Sequence, residues 1–223
     1  MSLQSRAVTM TKQMIQIEST DPGTYENAMA NWITSQLAPY PNVQLTRQEV
    51  LPGRPNLMAE LPGDPTLPAL IMICHMDTVV VGDGWTLPPF EAIEKNGKIY
   101  GRGACDMKSG LACCLSAFQY AAEMLKASGK TPKQTLKLIC SMDEEDFMRG
   151  SEACIQSGWI TDHDWVIDAE PTNGQIQMAH KGRTWYEIDV QGHTAHASTP
   201  WKGADAIAAM SEIICEIRHA ILY

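Results

Sequence analysis

The chain has 223 residues, 44% hydrophobic and 19% charged, enough for a sizeable core in one domain or in one domain plus part of another. Its net charge of -9 argues against a nucleic-acid partner, which demands clustered Lys and Arg. No apolar run reaches the ~18 residues of a membrane span, and Met1–Ile17 interleaves Lys, Arg and Gln with apolar residues, unlike a secretory signal.

Two helices are expected first. Leu3–Ile17 places Ala7, Met10, Met14 and Ile17 on one face; Tyr25–Leu37 spaces Ala28, Met29, Ile33 and Leu37 likewise, with Pro22 near its start. Strand-like runs follow at Val43–Val50, Asn56–Leu61 and Leu67–Cys74, and the unbroken apolar stretch Ala69–Cys74 reads as a central strand buried on both faces. Ser109–Leu125 is helical in pattern, Thr135–Ser141 is a second buried strand, Gly150–Gln156 a short helix and Trp165–Asp168 a third strand. Buried strands alternating with helices predict an α/β fold, a three-layer sandwich with a largely parallel mixed sheet.

Beyond Met178–Gly182 the character changes. Arg183–Gln191 alternates like a half-exposed strand, and Ala204–Leu222 is an amphipathic helix with Ile207, Met210, Ile214, Ile217 and Ile221 on one side. One strand and one helix bury too little to stand alone. Residues 1–180 are therefore expected to form one domain, and 181–223 the beginning of a smaller α+β domain that is cut short. The seven cysteines form no Cys-x-x-Cys pair; Cys74, Cys140 and Cys154 sit in apolar contexts and read as buried hydrophobes of a reducing compartment. Cys105 is read as a spectator, because no His lies close in sequence to activate it.

The polar residues of interest fall at strand C-terminal ends: His75 and Asp77 after one strand, Glu144 and Glu145 after the next, Glu170 after the third. Ligands of open α/β sheets gather at that edge. Asp106 sits in the glycine-rich turn before a helix. Singly, each has a structural reading: a polar strand end, a helix cap, a solvated acidic run from Asp143 to Asp146, a loop acid beside Pro171. Together they are what a two-metal hydrolase needs, namely separate ligands for each cation, a shared carboxylate and a free one to handle the proton.

His75-Met76-Asp77-Thr78-Val79, the run Gly101–Gly110 around Asp106, Asp143-Glu144-Glu145, Glu170-Pro171 and Gly192-His193-Thr194-Ala195-His196 carry a resemblance, and Trp85–Phe90 adds to it. They resemble the zinc-dependent acetylornithine deacetylase, succinyl-diaminopimelate desuccinylase, aminoacylase and glutamate carboxypeptidase family. The resemblance implies two Zn2+, with Co2+ or Mn2+ as alternatives. Asp106 would bridge them, His75 and Glu170 would complete one site, and Glu145 would ligate the other metal. Glu144 would be the general base, Asp77 would orient His75, and His196 would stabilise the oxyanion from the lid domain. A cis peptide bond after Asp106 is also implied.

The resemblance further implies a catalytic metal-binding domain at 1–180, the start of a lid and dimerisation domain at 181–223, and a cytoplasmic homodimer when full length. Its substrate would be an N-acyl amino acid or short peptide. Lys181 and Arg183, near the junction, are read either as meeting a substrate carboxylate or as solvated hinge residues. Members of that family run well beyond this length and finish the second site with a His near the C-terminus, whereas no His follows His219 here. The alternative expectation is thus a truncated, catalytically incompetent metal-binding fragment or interaction module that holds one metal better than two.

Overall fold

The computed structural model describes residues 2–179 and 181–222. The chain divides into two compact units, Met1–Ile176 and Gln177–Tyr223. His180, where the first domain was expected to end, lies outside the described residues.

In the first unit, α1 (Leu3–Ile15) starts where the Ser2 hydroxyl accepts from the Ser5 amide at 3.1 Å, satisfying one orphan donor of the first turn. After β1 (Thr20–Asp21), α2 (Asn27–Leu37) begins two residues later than its periodicity predicts. The reason is local: Tyr25 takes φ +58°, and its ring lies 4.2 Å from the Arg54 guanidinium. Next come β2 (Gln44–Leu51), β3 (Arg54–Leu61), β4 (Leu70–His75) and β5 (Thr78–Val79), the last paired with β1. A small hairpin, β6 (Ile93–Lys95) and β7 (Lys98–Tyr100), turns on Asn96-Gly97, both at positive φ, a turn signature of this dipeptide. The long helix α3 (Lys108–Ser128) stops at Gly129 in the left-handed region, before β8 (Leu136–Ser141), α4 (Arg149–Gln156) and β9 (Trp165–Asp168).

The main sheet has the order β2-β3-β8-β4-β9. β8, β4 and β9 run parallel, and β3 joins β8 antiparallel with β2 beyond it. Alternation along the strands fixes two faces. Leu57, Ala59 and Leu61 with Leu138 and Cys140 pack under α1, α2 and α3; Met58, Ile71, Ile73 and Ile139 face Cys154 of α4 and Trp159. Helices therefore cover both faces, giving the three-layer α/β arrangement with a mixed sheet. α3 and α4 are the crossovers that parallel strands require, and they bring the C-terminal ends of β4, β8 and β9 to one edge.

The second unit contains a 3-10 turn (Pro200–Lys202) and α5 (Ala206–Leu222). Arg183–Gln191, expected as a strand, is not one: among the described residues no strand lies beside it, and the β-bridge described in this unit is His193–Ala204. Alternation in a sequence records half-exposure, but a strand exists only where a neighbour takes its hydrogen bonds. Ile207, Ile214 and Ile221 of α5 are exposed.

Candidate metal centre

Each residue expected at the site in the first unit leaves a parallel strand, or the turn before α3, at the carboxyl edge. His75 ends β4, Asp77 follows it, Asp106 precedes α3, Glu144 and Glu145 follow β8, and Glu170 follows β9. His75, 2% exposed, is the hub. Its Nδ1 lies 2.9 Å from the Asp77 carbonyl oxygen, which can only accept, so in the neutral ring Nδ1 carries the proton and Nε2 offers a lone pair. Nε2 stands 3.1 Å from Asp106 Oδ1, 3.6 Å from Glu170 Oε1 and 3.9 Å from Glu144 Oε2.

Ligand-type atoms of His75, Asp106 and Glu145 all lie within 4.8 Å of one another, and so do those of His75, Glu144 and Glu170. The adjacent acids Glu144 and Glu145 thus part into two groups that share the imidazole. The grouping differs from the expected one: His75 rather than Asp106 is common to both groups, Asp106 stands with Glu145, and Glu144 is among the ligand-type atoms beside Glu170. The Asp106-Met107 peptide bond is cis.

Charge is concentrated here. Burial opposes ionisation of His75, but hydrogen bonds to Asp106 and Asp77 and the Glu170 charge push it up to about 11. Burial, with Asp168, Asp106 and Glu144 nearby, pushes Glu170 up to about 7. Burial and the Asp106 charge raise Glu145 as well, whereas the His75 hydrogen bond holds Asp106 below the usual carboxylate range. So many acids around one imidazole leave negative charge that a single proton does not neutralise. An imidazole nitrogen among carboxylate oxygens is a donor set for zinc, cobalt or manganese. The residues present fit a divalent cation.

Asp77, 1% exposed, meets His75 through its backbone as well as its side chain, whose Oδ1 lies 3.6 Å from Nδ1. Its carbonyl holds His75, while its carboxylate accepts from the amides of Glu144 at 3.1 Å and Glu145 at 3.0 Å. On the opposite flank, a Cβ added to Gly110 of α3 would lie 2.2 Å from the Ala169 carbonyl oxygen. Only glycine lets the helix that follows Asp106 approach the segment leading to Glu170.

Sequence reasoning missed how the turn carrying Glu144 and Glu145 is held. The Met142 amide donates to Asn56 Oδ1 at 3.0 Å and the Asp143 amide to Glu26 Oε1 at 3.2 Å. With the two bonds to Asp77, four consecutive amides are taken by side-chain oxygens from other elements. Asp143, read in sequence as part of a solvated acidic run, is buried, adopts φ +61° and pairs with Arg149 and Arg54. The available signal was Arg54 and Asn56, polar residues opening a strand that is otherwise apolar but for Glu60.

His196 belongs to the second unit and is exposed. The Ser198 amide donates to its Nδ1 at 3.2 Å, so in the neutral ring the proton resides on Nε2. His193 forms the bridge to Ala204, His219 lies in α5, and Arg183 lies over the Trp185 ring.

Residues 71–221 match the model of peptidase family M20/M25/M40. Over 168 residues the chain is 37% identical to a probable succinyl-diaminopimelate desuccinylase of Staphylococcus aureus (strain Mu50 / ATCC 700699), an alignment covering 74% of this chain and 40% of that one. It is 36% identical over 150 residues to an acetylornithine deacetylase of Buchnera aphidicola, covering 67% and 38% respectively. The chain therefore spans about 40% of the length of the curated relatives it matches. In fold it is similar to a Staphylococcus aureus tripeptidase, with a TM-score of 0.58 and 20% identity over 95% of this chain and 56% of that one. Human carnosine dipeptidase 1 gives a TM-score of 0.56 and 23% identity over 74% and 38%.

Proposed function

The chain belongs to peptidase family M20/M25/M40, and from that premise we propose a metal-dependent hydrolase that cleaves an amide bond of an N-acyl amino acid or a short peptide. The observation carrying this reading is the convergence of Asp106, Glu144 and Glu170 on His75 Nε2, with Glu145 in the same cluster as Asp106. Asp106, His75, Glu170 and Glu145 are assigned to hold two divalent cations, Zn2+ by preference, with Asp106 shared. The cations supply Lewis acidity to a water and to the scissile carbonyl.

The chain's own groups do the rest. Glu144 takes the proton of the attacking water and hands it to the departing nitrogen, a task suited to a carboxylate that is not committed to a cation. Asp77 keeps the His75 lone pair aimed at the cluster through its carbonyl and fixes the Glu144 and Glu145 backbone through its carboxylate. His196 is assigned the oxyanion, because its Nε2–H is a donor. The catalytic domain is assigned to residues 1–180 and part of a lid to 181–223, a boundary close to the division of the two units after Ile176. The exposed apolar face of α5 supports homodimerisation, and free, mostly buried cysteines support a cytoplasmic setting. Lys181 and Arg183 are candidates for a substrate carboxylate.

A second reading, cation binding without turnover by these 223 residues, has one observation in its favour. Among the described residues, the ligand-type clusters contain a single imidazole, His75. One experiment separates the readings and assigns Glu144. The Co2+-loaded chain is assayed against N-succinyl and N-acetyl amino acids and dipeptides, beside Glu144→Gln. Turnover that Glu144→Gln abolishes without loss of metal supports the hydrolase and the general base. Loss of metal in step with activity makes Glu144 a ligand, and a loaded chain with no turnover supports the second reading.

A further inference from the structure

Behind the turn that carries Glu144 and Glu145 lies a buried ionic cluster that the chemistry above does not use. Arg54, at the start of β3, is 7% exposed, and Glu26, before α2, is fully buried. The Arg54 guanidinium donates through Nε to Glu26 Oε2 at 2.9 Å and through Nη2 to Glu26 Oε1 and to Asp21. The same Nη2 is 3.3 Å from Asp143 Oδ1. Glu26 Oε1 in turn accepts the Asp143 amide. Arg54 therefore stands among three buried carboxylates, of which Asp143 is also held by Arg149, and one of them, Glu26, holds the backbone immediately before Glu144.

We propose that Arg54 is a positioning residue that, acting through Glu26 and Asp143, sets where Glu144 and Glu145 stand relative to His75 and Asp106. The argument is electrostatic and geometric. Without the guanidinium, Asp143 keeps Arg149, but Asp21 and Glu26 lose the cation they share in a buried site and repel one another. Any turn of Glu26 away from that repulsion strips the Asp143 amide of its acceptor. Asp143 is itself at positive φ, an uncommon conformation for a non-glycine residue, though one that Asp adopts more readily than most. Releasing this residue moves the two acids that follow. Asp77 anchors the far side of the turn, so the expected outcome is a shifted and loosened turn rather than an unfolded one.

The inference rests on the hydrolase reading for its consequence, but its test does not depend on that reading. Arg54→Met keeps the stem of the side chain and removes the charge. Hydrogen exchange read by mass spectrometry over Met142–Glu145 is expected to quicken by ~10-fold, while β4 keeps wild-type protection. Co2+ affinity of the whole chain is expected to fall by ~10-fold, as for loss of other groups supporting ligands from behind. Wild-type exchange in the turn together with wild-type Co2+ affinity would overturn the inference and leave the hydrolase reading standing. If wild type takes up no Co2+ but the turn still responds to Arg54, the hydrolase reading fails and the positioning role holds. Should Arg54→Met not fold, Arg54→Lys carries the same test. Lysine keeps the charge but cannot hold both Glu26 oxygens, so faster turn exchange is again expected and unchanged exchange overturns the inference.

Discussion

Asp77→Asn isolates the support beneath the two glutamates without changing the size of the side chain. The Asp77 carboxylate accepts two amides, from Glu144 at 3.1 Å and Glu145 at 3.0 Å, in a place 1% exposed. Asparagine keeps one acceptor oxygen and turns an NH2 group against the other amide. A buried donor left facing a donor costs about 1–3 kcal/mol, and the surviving bond loses its charge assistance, so the metal-free chain should lose about 2–4 kcal/mol. The His75 ring should stay in place, because its Nδ1 is held by the Asp77 carbonyl, which the substitution leaves alone. Divalent-cation affinity should fall by ~10–100-fold as the turn relaxes. Urea unfolding followed by circular dichroism measures the first quantity, and Co2+ titration through the d–d absorption band measures the second. A loss of stability below about 0.5 kcal/mol with unchanged Co2+ affinity would refute the reasoning.

Gly110→Ala puts a Cβ 2.2 Å from the Ala169 carbonyl oxygen. The Ala169–Glu170 segment must then move, and Co2+ affinity should fall by ~10-fold with helix content unchanged; an unaltered affinity would contradict the packing argument. At pH 7 the metal-free cluster holds a proton on His75, which is pushed up to about 11, and about half a proton on Glu170, pushed up to about 7. A cation displaces them, so affinity must rise with pH, and calorimetry in buffers of different ionisation enthalpy should show ~1–1.5 protons released per cation; no release would contradict it. Phe118→Ala empties a fully buried position in the core beneath α3 and should cost about 3–5 kcal/mol. A loss under about 1 kcal/mol would show that the core is not packed as described.

Much of the architecture is legible in the residues. Ala69–Cys74 and Thr135–Ser141 announce buried parallel strands because apolar runs of that length fit nothing else between turn signals, and the structure has β4 and β8 there. The acids of interest are legible as a set because the C-terminal ends of parallel strands share an edge whatever the loops do. The supports are less so. Arg54, Glu26 and Asp143 are far apart in sequence, and a buried ion pair looks in sequence like any exposed charge. Asp143 in particular hides in an acidic run that composition reads as solvated. Asp77 shows the same limit at smaller scale: the spacing to His75 suggests contact, but not that the carbonyl accepts from the ring while the carboxylate, 3.6 Å from Nδ1, also takes the Glu144 and Glu145 amides. Arg183–Gln191 fails as a strand because periodicity registers exposure and says nothing about a pairing partner.

The central claim is that Asp106 is the carboxylate shared by a cation site built on His75, Glu145 and Glu170. Its most direct test is the metal content of the dialysed 223-residue chain, measured by mass spectrometry after loading with Zn2+, beside the Asp106→Asn variant. The expected result is at least one retained Zn2+ in wild type and its loss in Asp106→Asn with the fold intact. Equal Zn2+ retention in the two proteins would contradict the account.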